Sequence, residues 1–164
     1  MGKSGRVLAI EPDPQNYQML LENIRLNRFG GGVSARQCGI SDRRHELRLH
    51  RSATGNSGGH NFVGRGAEGP FIECMPLYDA VSEAKLGPIR LMKLDIEGFE
   101  RKVLERYFAD APVNEQPQYL LVEINDSPAS EPEKTSLRRL ITAQGYVPLR
   151  DSGNTLFRRF GATE

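Results

Sequence analysis

The sequence lacks tryptophan, long apolar runs and a large net charge of either sign. Its 164 residues include 22 basic and 21 acidic side chains, giving a formal net charge of +1. This balance gives no sign of a nucleic-acid or membrane partner. No apolar run approaches the roughly 20 residues that span a bilayer, and the start has no signal-peptide core. We therefore expect a soluble, cytoplasmic protein.

Cysteine is scarce as well, since Cys38 and Cys74 are the only two and their spacing does not suit a metal site. Reduced thiols are the rule in the cytoplasm, so we expect neither a disulfide nor a bound metal. Basic residues cluster between positions 43 and 51, but apolar residues alternate with them. That alternation favours a solvated strand face over a phosphate-binding site.

Short apolar runs alternate with stretches of helical periodicity along the chain. Strands are predicted at residues 6–10, 33–40, 71–75, 89–94 and 119–124. Helices are predicted after Asp13, at residues 77–84, and after residues 98 and 130. Asp13 is a good N-cap with Pro14 at the first helical position, and a capping box begins at Ser130.

This alternation is typical of an α/β fold with a mostly parallel sheet covered by helices on both faces. Residues 145–149 and 154–160 predict a final antiparallel pair, which gives the sheet an antiparallel C-terminal edge. Residues 45–50 alternate apolar and polar side chains and predict a further, half-exposed antiparallel strand. Neither a repeat nor a linker divides the chain, so one domain over residues 1–164 is predicted.

Two of the predicted strands end in carboxylates immediately before a helix, where open α/β sheets bind ligands. Glu11 follows the first strand, and an acid there can accept hydrogen bonds from both hydroxyls of a ribose. The same carboxylate could instead only stabilise a helix N-terminus. The pattern is shared by nicotinamide-binding and S-adenosylmethionine-binding folds, so it does not choose between them.

The second junction contains Lys93, Asp95, Glu97 and Gly98. The three charged side chains alternate with apolar ones and so share one face of the strand. A lysine inside a buried strand needs a partner, and Asp95 is the expected one. The alternative is an ion-pair network that merely ends the strand. A functional site is favoured, because three charges at this edge serve no packing purpose.

Residues 52–70 form a glycine-rich stretch without periodicity, long for a loop in a compact domain. His60 is its one histidine, and an unperturbed pKa near 6.5 suits a general base. A lone loop histidine is more often simply exposed, so both interpretations stay open.

Several motifs occur in one order along the chain and together closely resemble the FkbM-type methyltransferases, a family of class I S-adenosylmethionine-dependent enzymes. They are Glu11-Pro12-Asp13-Pro14, Leu20-x-x-Asn23-Ile24-x-Leu26-Asn27, Gly39-Ile40-Ser41-Asp42 and Lys93-Leu94-Asp95-Ile96-Glu97-Gly98-Phe99-Glu100. The resemblance covers about residues 6–160.

The resemblance implies a Rossmann-like sheet, S-adenosyl-L-methionine as cofactor, and methyl transfer to a hydroxyl oxygen of a small molecule or glycan, such as a sugar or natural product. Glu11, beside Pro12, would hold the cofactor ribose, and the adenine would lie along the next strand end. Asp95, with Lys93, Glu97 and His60, would line the reacting end. The residues expected along the adenine are Gln37, Cys38 and Gly39.

The family's first strand, glycine-rich loop and helix have no counterpart in the five residues before Arg6, since such a unit takes about 30 residues. We therefore expect a sheet missing its first βα unit. Either the chain is a fragment or mis-started, or two strands close up, or another chain fills the gap, for example in a homo-oligomer through the open sheet. The alternative functions are a non-catalytic relative that no longer binds the cofactor and, less favoured, a truncated nicotinamide-dependent oxidoreductase.

Overall fold

The structure is a computed structural model that describes residues 5–29, 31–51, 62, 67–96, 98–124, 131–152 and 154–161. The chain forms two compact units, Met1–Leu86 and Gly87–Glu164. In the first unit the elements are β1 Val7–Ile10, α1 Pro14–Leu26, β2 Val33–Arg36, β3 Gly39–Ser41, β4 His45–Arg51, β5 Ala67–Pro76 and α2 Leu77–Ala84. In the second they are β6 Leu91–Leu94, α3 Glu100–Asp110, β7 Tyr119–Glu123, α4 Glu131–Ala143, β8 Tyr146–Ser152 and β9 Asn154–Arg159.

The first unit begins with a parallel pair, β1 and β2, connected through helix α1. Asp13 caps α1 as predicted: its Oδ1 accepts hydrogen bonds from the N–H groups of Gln15, at 2.7 Å, and Asn16, at 3.2 Å. Pro14 occupies the first helical position, where a missing N–H costs nothing. None of the residues of α1 is buried.

The single strand predicted over residues 33–40 is wrong, because the structure has two strands there. β2 ends at Arg36 in the ladder with β1, and β3 begins at Gly39 in a parallel ladder with β5. Gln37 and Cys38 connect the two ladders. The two halves of this segment pair with different strands, Val33–Arg36 with β1 and Gly39–Ser41 with β5.

The rest of the first unit is a three-stranded sheet in the order β3-β5-β4, with helix α2 as predicted. The antiparallel pairing of β4 with β5 confirms the prediction for residues 45–50. β5 begins at Ala67, earlier than predicted, because pairing with β4 extends to Arg51 opposite Ala67. The glycine-rich stretch is therefore shorter than predicted, and within it the structure describes Phe62.

The second unit is a four-stranded sheet in the order β6-β7-β9-β8. β6 and β7 are parallel, while β9 runs antiparallel between β7 and β8, which confirms the predicted final pair. Helices α3 and α4 are in contact. Fully buried side chains fill this unit; they include Val103, Leu104, Tyr107, Leu120, Val122, Ile141, Tyr146 and Phe157.

These elements confirm the predicted α/β class. A continuous, mostly parallel Rossmann-like sheet that lacks its first βα unit stays a prediction, and so does the single domain over residues 1–164. No helix in the described ranges is long and apolar enough to cross a membrane.

Candidate functional site

The turn between β1 and α1 fixes the first predicted site residue, Glu11. Its backbone N–H donates to the carbonyl oxygen of Arg36 at 3.1 Å and so continues the ladder of β1 with β2. Its Oε1 accepts a hydrogen bond from the N–H of Asp13 at 2.8 Å. Glu11 and Pro12 are half-buried. A carboxylate held in this way at a strand end is oriented before any ligand arrives, which favours ligand binding.

Gln37, Cys38 and Gly39, the residues predicted to lie along the adenine, connect β2 to β3. Gln37 is exposed, whereas Cys38 and Gly39 are buried. Burial raises the pKa of the Cys38 thiol, and it raises the pKa of Cys74 to about 11. Both thiols are therefore protonated at neutral pH, so Cys38 can offer a ligand an apolar contact but not a reactive thiolate.

Gly39 is a glycine because its neighbours leave no room for a side chain. A Cβ built on Gly39 would overlap Cys74 Sγ and would lie 3.0 Å from the ring of Phe62. Phe62, in the glycine-rich stretch, therefore packs against the strand end that the sequence assigned to the adenine.

In the second unit, Lys93 and Asp95 form the ion pair that the sequence predicted, with Nζ and Oδ2 2.6 Å apart. The prediction that Lys93 lies inside a buried strand is wrong. Met92 and Leu94 are buried, but the side chain of Lys93 is 52% exposed, because only one face of β6 is covered. An exposed pair of this kind contributes little to stability.

Glu123 joins this pair from the neighbouring strand. Leu94 lies opposite Val122 in the parallel ladder, so Asp95 and Glu123 stand side by side at the carboxyl ends of β6 and β7. A hydrogen bond with Glu123 and the Lys93 ammonium lower the pKa of Asp95.

Glu100 is a second carboxylate that the predicted site did not include. It is 8% exposed, at the start of α3. Oε1 accepts a hydrogen bond from the N–H of Ile96 at 2.9 Å, and Oε2 accepts one from the N–H of Gly98 at 3.0 Å. The sequence gives a signal for Glu123 and for Glu100. Glu123 is another acid at a strand end, and Glu100 belongs to the motif that starts at Lys93.

Glu97 and His60, the other two residues predicted for the reacting end, lie outside the described residues. In the part of the chain that the structure describes, no group of three histidine, cysteine, aspartate or glutamate side chains could hold a metal ion. Each unit thus presents oriented carboxylates at the carboxyl end of a parallel strand: Glu11 in the first, Asp95 and Glu123 in the second. Such groups can accept hydroxyl protons in hydrogen bonds or offset a positive charge.

Comparisons with known proteins identify a family that the sequence matches and a solved structure with a similar fold. Residues 1–148 match the family model of the methyltransferase FkbM domain. The structure is similar to the crystal structure of methyltransferase FkbM from Methylobacillus flagellatus KT, with a TM-score of 0.60 and 18% sequence identity. The similarity covers 94% of this chain and 36% of that chain, so this chain spans little more than a third of its length. A comparison with curated proteins finds no match.

Proposed function

Because the chain belongs to the methyltransferase FkbM family, we propose that it carries out S-adenosylmethionine-dependent methyl transfer to a hydroxyl oxygen of a sugar or natural product. The observation that carries the proposal is the pair of strand-to-helix turns at Glu11 and Asp95. Each holds a carboxylate in a fixed place at the carboxyl end of a parallel strand. That is where α/β folds bind nucleotide-like ligands.

The residues of the first unit suit the nucleoside part of the cofactor. The Glu11 carboxylate accepts hydrogen bonds from the ribose hydroxyls, with its orientation set by the N–H of Asp13. Pro12 supports the same turn. Gln37, Cys38 and Gly39 border the adenine in this proposal, with the exposed Gln37 available for contact and the buried Cys38 and Gly39 forming the strand end.

The residues of the second unit suit the reacting end. S-Adenosylmethionine, when bound, supplies an electrophilic methyl group on a positively charged sulfur. The ionised Asp95 carboxylate, beside Lys93, offsets that charge or accepts the proton that the acceptor hydroxyl loses. In this proposal Glu97 and His60 take part in binding or deprotonating the acceptor. In-line displacement needs mainly alignment and a base, so few groups suffice.

A complete cofactor cradle would also need the strand and glycine-rich loop that the resemblance predicts. In the described part of the chain, β1 pairs with β2 alone and β6 pairs with β7 alone. Among the described residues, one edge of β1 and one edge of β6 therefore have no strand partner.

A second candidate function is a methyltransferase-like module that does not bind the cofactor by itself. The burial of Cys38 and Gly39 and the packing of Phe62 on Gly39 favour it, since these contacts occupy the strand end proposed for the adenine. Both candidates have the same fold and differ in ligand binding.

Calorimetric titration with S-adenosylhomocysteine separates the two candidates. Methyl-transfer function predicts measurable binding, and Glu11→Ala should weaken it about 10- to 100-fold, the usual effect of losing hydrogen bonds to a charged group. Glu22→Ala, an exposed change on α1, is the matched control and should bind as the parent does. No binding by the parent at about 1 mM ligand would support the module, and equal affinities of the parent and Glu11→Ala would remove Glu11 from the ribose role.

A further inference from the structure

The turn from β6 to α3 is held by a carboxylate that comes from the helix itself. β6 ends at Leu94, and the backbone N–H groups of Ile96 and Gly98 point back to Glu100. Each N–H uses a different oxygen: Ile96 donates to Oε1 and Gly98 donates to Oε2. Gly98 has φ of 100°, a backbone conformation that favours glycine.

Burying this carboxylate would be costly without those partners. At 8% exposure Glu100 has lost most of its contact with water, and two backbone N–H groups replace it. Glu100 is also the first residue of α3, where the helix dipole favours a negative charge. The carboxylate and the turn therefore stabilise each other.

The hydrogen bond to Ile96 bears directly on Asp95. The N–H of Ile96 and the carbonyl group of Asp95 belong to one planar peptide unit, so fixing the first orients the second. Asp95 lies between this fixed peptide unit and β6, whose ladder with β7 is complete through Leu94. Its side chain then meets Lys93 at 2.6 Å and stands beside Glu123.

We propose that Glu100 is a positioning residue that holds the Asp95 carboxylate at the reacting end through the backbone N–H groups of Ile96 and Gly98. The catalytic importance of this inference rests on the proposed function, whereas the positioning of Asp95 by Glu100 does not. Glu100 need not contact the cofactor or the acceptor. It acts through the backbone.

The test compares Glu100→Gln with Glu105→Gln, the same chemical change at an exposed position of the same helix. Glutamine offers one acceptor oxygen and an amide that donates, so it cannot accept from both N–H groups as the carboxylate does. Carbon-13 NMR of the Asp95 carboxyl group should show its pKa raised towards the ordinary value in Glu100→Gln and unchanged in Glu105→Gln. An unchanged Asp95 pKa in a folded Glu100→Gln would overturn the proposal.

A measurement on the unaltered protein covers the case in which Glu100→Gln does not fold. The amide protons of Ile96 and Gly98 should both be protected from hydrogen exchange, because each donates to a Glu100 oxygen. Rapid exchange at either amide would show that Glu100 does not hold the turn.

Binding of S-adenosylhomocysteine then separates this inference from the proposed function. If the parent binds, Glu100→Gln should bind about two- to tenfold more weakly, the effect of loosening one hydrogen-bonded contact, and Glu105→Gln should bind equally well. If the parent does not bind while the Asp95 pKa still responds to Glu100→Gln, the proposed function fails and the positioning role stands. If Glu100→Gln binds as the parent does while the Asp95 pKa is raised, Glu100 affects only the pKa of Asp95 and does not position it for binding.

Discussion

Helices α1 and α3 have similar apolar stripes in the sequence but different surroundings in the structure. In α3, Val103, Leu104 and Tyr107 are almost completely buried. In α1 the stripe consists of Tyr17, Leu20, Leu21 and Ile24; Leu21 is exposed, the other three are only half-buried, and no residue of the helix is buried. Both helices follow a strand that ends in a carboxylate. In the second unit α3 is buried and contacts α4, whereas the first unit leaves α1 partly uncovered.

The difference shows what an amphipathic pattern establishes. It establishes which residues form a helix and which face is apolar, but not whether a complementary surface is present. In α1 the helix is instead secured at its N-terminus, by the Asp13 cap and Pro14. Local interactions therefore define α1, and tertiary packing defines α3.

The largest expected effect is on stability, from truncating one leucine in each helix. Leu104→Ala should lower the free energy of unfolding by about 2–5 kcal/mol, because it leaves a cavity in a filled core. Leu20→Ala, in half-buried surroundings, should cost about 1 kcal/mol or less. Urea unfolding followed by circular dichroism measures both. Equal losses would contradict the comparison, and light scattering would then show whether a second copy covers α1 in solution.

A smaller effect on stability is expected from two glycine substitutions in the first unit, one at a crowded position and one at an open position. Gly39→Ala should cost about 1–3 kcal/mol, because the added methyl group overlaps Cys74 Sγ and crowds the Phe62 ring. Gly31→Ala is the matched control: it has no neighbour within 4 Å, and its effect should stay within about 0.5 kcal/mol. The readout is again urea unfolding. A neutral Gly39→Ala would show that the sheet of β3, β4 and β5 is as loosely covered as α1.

The smallest effect concerns two ion pairs, one from each unit. The Arg25 hydrogen bond lowers the pKa of Glu22 on the exposed face of α1, while Glu123 and Lys93 lower the pKa of Asp95. At about 1 M salt, where the screening length is about 3 Å, the pKa of Glu22 should return towards its ordinary value. The pKa of Asp95 should change less, because its largest cause is a hydrogen bond with Glu123, which is not an opposite charge, whereas the partner of Glu22 is the charged Arg25 in a more exposed pair. NMR titration at low and high salt measures both.

The sign of the Asp95 contribution to stability follows from the direction of its shift. A carboxyl with a lowered pKa in the folded state stabilises the fold above its unfolded pKa, near 4. That contribution is lost as the pH falls through the folded pKa. Asp95→Asn should therefore have a shallower loss of stability on acidification than the parent, and an identical slope would contradict the assignment.

Features that depend on neighbouring residues could be predicted from the sequence. The Asp13 cap, the helix at Leu77–Ala84 and the final antiparallel pair were confirmed, because capping, periodicity and turn residues act over a few positions. The ion pair of Lys93 with Asp95 was also predicted correctly, since alternate residues of a strand share a face.

Features that depend on distant parts of the chain could not be predicted in the same way. β2 and β3 separate because β3 finds its partner in β5, more than 30 residues later. Glu123 reaches Asp95 only through the register of β6 with β7. Glu100 was missed because its partners are backbone N–H groups, whose directions depend on the turn and not on residue types.

The position of β9 has a consequence for how the second unit forms during synthesis. β9 leaves the ribosome after β6, β7 and β8, yet it lies between β7 and β8 in the finished sheet. Until Asn154–Arg159 has emerged, β8 lacks the strand that connects it to β7, and the apolar side of β7 lacks Phe157. The order of the strands therefore delays closure of this sheet until β9 arrives, so apolar surface of β7 stays exposed until then.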